Sequence, residues 1–344
     1  MKRVNFSYQK ICENLLKNLP QRTKDVIKRR FGLGRGTPET LESIGKDYGI
    51  TRERVRQIEK DGFLKIRTSL KKYQKVFQYF NDILKEHGDL KKEATLLTIA
   101  GGERYQREVF FLLSLYQDLK RISEDENFYT FWTKNLKAPE LAKKVISLVI
   151  KRLQAERRPL LLEELLKAQR TEVEKVLGRK INKKIFYSFV EISRKIQKNP
   201  EDKWGLKEWV EINPRGIKDK AYLVFKREGK PLHFTEVAKK IGELPFSSQK
   251  AHVATVHNEL IKDQRFVLVG RGLYALREWG YEPGLVKDII LKILKKVKKP
   301  LSKEEILKEV LKQRLVKENT VLLNLQDRNI FLKDEKGRYK IREA

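Results

Sequence analysis

The sequence predicts a mainly α fold: a helix-turn-helix head followed by an array of winged helix-turn-helix modules with small β-hairpin wings. Three observations predict it. Residues 41–59 hold two short apolar helical stripes parted by a glycine. Blocks of sequence recur at a fixed spacing along the remainder of the chain. Each of those blocks closes on an alternating apolar pair around a glycine-containing turn.

Composition sets the frame. The 344 residues are 40% hydrophobic, enough for packed cores and against a wholly disordered chain. Lys and Arg number 77 against 46 Asp and Glu, a formal net charge of +31, which favours a polyanionic partner. The competing account is a lysine-rich composition without such a partner. Residues 1–72 hold 19 basic and 8 acidic side chains, a net of +11, so the head is the more basic part per residue. A single cysteine, Cys12, allows no internal disulfide and no thiolate metal cluster. His87, His233, His252 and His257 offer no pair at good helical spacing, so neither a metal nor a cofactor is expected. The opening "MKRVNFSYQKICENLL" lacks a signal peptide's apolar run and cleavage site. No stretch reaches membrane-spanning length. A soluble, cytoplasmic protein without a membrane partner is expected.

In the head, Ile44, Tyr48, Val55 and Ile58 are the apolar positions that two short helices would bury together. Gly49 supplies a left-handed residue to end the first helix, and Thr51 is a natural N-cap for the second. Gly45 is small where the helices must cross. This is the pattern of a helix-turn-helix. With Val55 and Ile58 inward, Arg52, Glu53, Arg56 and Gln57 are left outside near the helix N-terminus, the end that enters a major groove. Arg can bond guanine bidentately, Gln adenine, and Glu can accept from cytosine. A merely solvated face would need neither the glycine turn nor the inward pair.

The run "LPQRTKDVIKRRFGL…TLESIGKDYGITRERVRQIEKDGFLKIR" resembles region 4 of the bacterial sigma-70 family over about residues 8–72. In that family the region recognises the −35 promoter element and touches the RNA polymerase flap. The resemblance implies double-stranded DNA and RNA polymerase as partners. It implies that Arg52, Glu53 and Gln57 read bases and that Arg54 and Arg56 hold phosphates. Thr51 and Lys60 complete the candidate DNA contacts of this helix. Ser43 departs from the acidic residue usual at its position. A sigma factor also needs region 2, which melts promoter DNA and precedes region 4 in the family. Region 4 starts here almost at Met1, so the chain is expected not to initiate transcription alone.

Beyond the head, Pro214, Lys218, Asp219, Pro231, Leu232 and Glu236 match Pro283, Lys287, Asp288, Pro300, Leu301 and Glu305 at a constant offset of 69. "GRGLYAL" at 270–276 parallels "EKGRYKI" at 335–341. An earlier copy shows in Pro159-Leu160 and "KWGLKEW" at 203–209, and a weaker one between Phe77 and Trp132. In each, an amphipathic helix such as 218–228 precedes an extended Lys-Pro-Leu link. A short helix such as 234–241 follows, then a third such as 250–262, and last the hairpin "FVLVGRGLYAL". The expected domains are 1–72, 73–136, 137–212, 213–281 and 282–344. Modules so small bury little surface alone, so neighbours are expected to pack together.

Residues 217–281 resemble the HARE-HTH domain, through "AYLVFKREGKPLHFTEVAKKI" and "ATVHNELIKDQRFVLVGRGLYALREWGY". That winged helix occurs in a polymerase subunit, in chromatin proteins and fused to restriction endonucleases. Arg271, at a glycine-flanked wing tip, is a candidate DNA contact; the alternative is a solvated turn of a protein-contact module. Nuclease chemistry would need a carboxylate followed by Glu-x-Lys. Asp219 with Glu228-Gly229-Lys230 fits as a string, but it spans a helix and its exit where strands are needed. "FGLGRG" at 31–36 ends a helix rather than opening one, so it is no phosphate loop. The chain reads as a DNA-binding transcription regulator without catalytic residues, not an enzyme. The rival is a structural or chromatin-like binder, or a protein-interaction module, without polymerase contact. A nuclease-associated specificity subunit stands behind both.

Overall fold

The computed structural model describes residues 6–34, 36–245 and 251–342. Among these residues sixteen α-helices and eleven short strands form two compact units, residues 1–207 and 208–344. The architecture is mainly α, as the sequence predicts. Among the described residues no helix is long and apolar enough to cross a membrane.

The first unit opens with α1 (Tyr8–Leu16), α2 (Gln21–Phe31), α3 (Leu41–Asp47) and α4 (Arg52–Arg67). The "FGLGRG" run does end a helix. Gly32 takes φ 62°, and the Leu33 N–H reaches back to the Lys28 carbonyl at 2.9 Å. Next come α5 (Gln74–Glu86), β1 (Leu90–Lys92), α6 (Glu93–Gly101), α7 (Gln106–Leu115), β2 (Lys120–Ile122) and β3 (Phe131–Thr133). The same order repeats in α8 (Ala138–Glu156), β4 (Leu160–Leu161), α9 (Leu162–Leu177), α10 (Lys183–Glu191), β5 (Ile196–Lys198) and β6 (Lys203–Leu206). The head and the first winged set share one core. Tyr8, Cys12 and Leu16 of α1, with Ile27, Phe31 and Ile66, pack into the same cluster as Phe80, Leu96, Phe111, Leu113 and Trp132.

The second unit repeats the order twice more. The first set is α11 (Gly216–Glu228), β7 (Leu232–His233), α12 (Phe234–Ile241), α13 (Val253–Lys262), β8 (Phe266–Gly270) and β9 (Leu273–Leu276). The second is α14 (Val286–Val297), α15 (Lys303–Gln313), α16 (Glu318–Leu325), β10 (Phe331–Lys333) and β11 (Tyr339–Ile341). Lys250, the expected start of the third helix, lies outside the described residues; the helix runs from Val253.

The sheets correct one expectation. The Lys-Pro-Leu link is not only a connection; its leucine joins the sheet as a third strand. Leu232 pairs with Tyr274, Leu160 with Trp204 and Leu301 with Tyr339, and in the first set Leu90 pairs with Thr133. Three residues or fewer cannot display alternation, so periodicity could not find these strands. The hairpin's outer edge is also covered in the second unit. Leu315 N–H donates to the Val269 carbonyl at 2.8 Å, and buried Arg314 donates to the carbonyls of Leu268, Glu282 and Gly284. A covered edge cannot template pairing with another chain.

Candidate nucleic-acid interface

The helix-turn-helix is built on three wholly buried side chains, Ile44, Val55 and Val26, ringed by Leu41, Tyr48, Ile50 and Ile58. The expected quartet of Ile44, Tyr48, Val55 and Ile58 is all there; Val26, supplied by α2, completes it. Gly49 takes φ 64°, and the Ile50 N–H closes on the Gly45 carbonyl at 2.9 Å. A Cβ on Gly45 would stand 2.7 Å from the Ile50 carbonyl oxygen, so its smallness makes room for the turn itself.

Thr51 caps α4: its Oγ1 accepts from the Arg54 N–H at 3.2 Å. Thr51→Ala is expected to cost about 1 kcal/mol of stability, the usual worth of such a cap. Urea unfolding of the variant against the parent checks this, and an unchanged midpoint would show that the cap contributes nothing.

All seven expected contact residues of the helix, Thr51, Arg52, Glu53, Arg54, Arg56, Gln57 and Lys60, are exposed and lie on one element. They are not loose. Arg56 grips the Glu53 carboxylate with two hydrogen bonds of 2.8 and 2.6 Å, and Arg54 donates to Gln57 Oε1 at 3.0 Å. The Arg56 hydrogen bond holds the Glu53 carboxyl below its ordinary range and raises the Arg56 guanidinium in turn. Exposed pairs of this kind are worth little. They therefore pre-order the side chains while leaving them cheap to redirect onto phosphates and base edges.

The frame behind α4 is polar and firm. Arg29 of α2 forks onto Glu39 at 2.8 and 2.6 Å and also binds Asp47 at the end of α3. Arg29 and Ser43 both donate to Glu39 and hold its carboxyl below the usual range. Tyr48 donates to Asp25 at 2.7 Å, with Arg22 over its ring. Sequence reasoning missed this network, because its members are 10 to 23 positions apart and no local pattern joins them. Ser43, the departure from the family pattern, finds its use here: its hydroxyl donates to Glu39 at 3.1 Å.

Arg271 belongs to the other unit. It is exposed in the two-residue turn between β8 and β9, beside a register shift at Leu268/Gly270. The nuclease-like string dissolves into structural ion pairs. Asp219 accepts from the Arg215 N–H at 2.8 Å and pairs with Arg265 at 2.8 Å, while Glu228 at the far end of α11 pairs with Lys240 at 3.0 Å.

A helix-turn-helix with an exposed Arg/Gln/Glu helix, followed by winged sets, defines the helix-turn-helix class of DNA-binding domains. Comparison with known proteins agrees. Residues 15–68 match the family model "Sigma-70, region 4", and residues 215–279 match the HARE-HTH model, a "restriction endonuclease HTH domain". The resemblances seen in the sequence are thus both present, fused in one chain. Over 55 residues the chain is 46% identical to RNA polymerase principal sigma factor HrdD of Streptomyces viridifaciens, covering 16% of this chain and 17% of that protein. It is 47% identical over 55 residues to RNA polymerase sigma factor SigA of a Bacillus species, covering 16% and 15%. The chain spans about a sixth of the length of these curated relatives.

Proposed function

We propose that this protein is a sequence-specific transcription regulator that docks on promoter DNA through α4 and contacts RNA polymerase. The observation that carries the reading is α4 itself: residue types that read bases and hold phosphates are exposed along a helix whose other face is fixed by a three-residue core. Arg52, Glu53 and Gln57 would read bases; Arg54, Arg56, Thr51 and Lys60 would meet the backbone. The sets at 73–136, 137–212, 213–281 and 282–344 would act as modules of one tail, with Arg271 offering a phosphate or minor-groove contact. Kinship with sigma factors over region 4 supports the polymerase partner.

Binding of the full chain to duplex DNA is expected to weaken linearly in log K against log salt, with a slope of about −0.9 per phosphate engaged. Fluorescence anisotropy over a salt series measures it, and a flat response would rule the reading out. Co-purification with RNA polymerase separates this proposal from a chromatin-like binder that touches DNA alone.

A further inference from the structure

The fold repeats one helix five times, the last helix of each helix-turn-helix: α4, α7, α10, α13 and α16. Each begins its burial at a residue with no exposure at all, Val55, Val109, Phe186, Val256 and Val321. The positions two and one before that residue, and two and five after it, form a single outward stripe. In α4 the stripe is Glu53, Arg54, Gln57 and Lys60, all exposed. In α13 it is Ala254, Thr255, Asn258 and Ile261, and in α16 Asn319, Thr320, Leu323 and Gln326, again all exposed.

In α7 and α10 the stripe is occupied by protein. On α7, Arg107 donates to the Gly36 carbonyl, and wholly buried Phe111 lies 5.2 Å from Phe31 and 6.0 Å from Phe63, ring centre to ring centre. Those partners belong to the head. On α10 all four positions meet the winged set before it. Lys184 pairs with Glu86. Ile185 covers Gly88, where a Cβ would stand 2.9 Å from its Cγ2. Ser188 Oγ accepts from Lys91 Nζ at 3.2 Å. Glu191 pairs with Lys91 at 2.6 Å and accepts from Thr95 at 2.9 Å. Backbone closes the joint beside them: Tyr129 N–H donates to the Ile192 carbonyl at 2.8 Å, and Arg194 N–H to the Asn127 carbonyl at 2.9 Å.

We infer that α7 and α10 have exchanged the DNA-facing role of their position for a coupling role. Each locks its module onto the one before it, so residues 6–207 form a rigid arm that carries one groove-entering helix, α4. A stripe that had to open for DNA would not hide an ion pair: Lys91 is 1% exposed and Glu191 7%. Exposing that pair and rebuilding it on each binding event would cost more than phosphate contacts on one helix return. The open stripes of α13 and α16 show that closure is not imposed by the winged fold. The inference rests on the proposed role of α4 in setting which stripe reads DNA.

The test selects duplexes from a random pool with the full chain and with Gln57→Ala, Lys184→Ala and Ser188→Ala, and follows amide hydrogen exchange on the parent. Expected is a selected motif that loses one position with Gln57→Ala and is unchanged with both α10 variants. Amides of β1 and α10 are expected to exchange at a common free energy, as parts of one opening unit. A motif altered by Lys184→Ala or Ser188→Ala would overturn the coupling role, as would an α10 that opens well before β1. A motif untouched by Gln57→Ala would instead overturn α4 as the reader, and the exchange data would still decide the coupling.

Discussion

Glu191→Ala is expected to destabilise the N-terminal unit by about 3–5 kcal/mol, because it strands an ammonium in the interior. Lys91 and Glu191 are both buried, 2.6 Å apart, on elements separated by nearly a hundred residues. Once the carboxylate is gone, Lys91 keeps the Ser188 hydroxyl and the face of the Tyr187 ring, 4.8 Å away, and no counter-charge from α10. Burial already holds the Lys91 pKa below its ordinary value, and Glu191 is what opposes that shift. In the window between the lowered folded value and the ordinary unfolded one, the unfolded chain binds the extra proton, so stability rises with pH there. Removing Glu191 should widen the window and steepen that rise. Urea unfolding of the variant at several alkaline pH values measures both effects. A loss under about 1 kcal/mol would mean that the pair is solvated and the joint loose. The double variant Lys91→Met/Glu191→Leu is the control: an apolar pair of similar volume should recover most of the loss, since the penalty lies in the unpaired charge.

This joint marks where the sequence stops being legible. The helix-turn-helix was readable because its determinants are local: Gly49 and Thr51 adjoin the turn they make, and Ile44 and Val55 lie within one supersecondary unit. The winged sets were readable because they repeat, and a repeat is its own alignment. The closing strands were missed because one or two paired residues carry no period. Lys91, Ser188 and Glu191 gave no signal at all. Each is an ordinary polar residue on a helix or strand, and only the docking of one module on another makes them partners. The same holds for Phe111: its place in a helical apolar pattern suits its own module's core, yet it packs on Phe31 and Phe63 of the head. Repetition of a fold therefore did not carry repetition of a role, because the role of each third helix depends on what covers its outer stripe.

On α4, where nothing covers it, two classes of side chain should separate in binding experiments. Arg52→Ala, Glu53→Ala and Gln57→Ala are each expected to lose about 1–3 kcal/mol on their own base pair and to relax choice there. Arg54→Ala and Arg56→Ala should weaken all sequences alike and lower the salt slope by about one each. The surface pairs add a condition to this. Arg56 holds Glu53 by two hydrogen bonds and Arg54 holds Gln57 by one, so each pair joins a base reader to a phosphate holder. Removing Arg56 therefore also frees Glu53 from its pre-ordered position, and removing Arg54 frees Gln57. The double variants Glu53→Ala/Arg56→Ala and Arg54→Ala/Gln57→Ala should lose less than the sum of their single losses, while Arg52→Ala with Gln57→Ala should add, since no hydrogen bond joins those two. Selection from a random duplex pool, followed by titration over a salt series, reads the motif, the affinity and the slope for every variant. If all five single variants keep the parent motif and affinity, the arginines of α4 are only a solvated face, and the head binds something other than DNA.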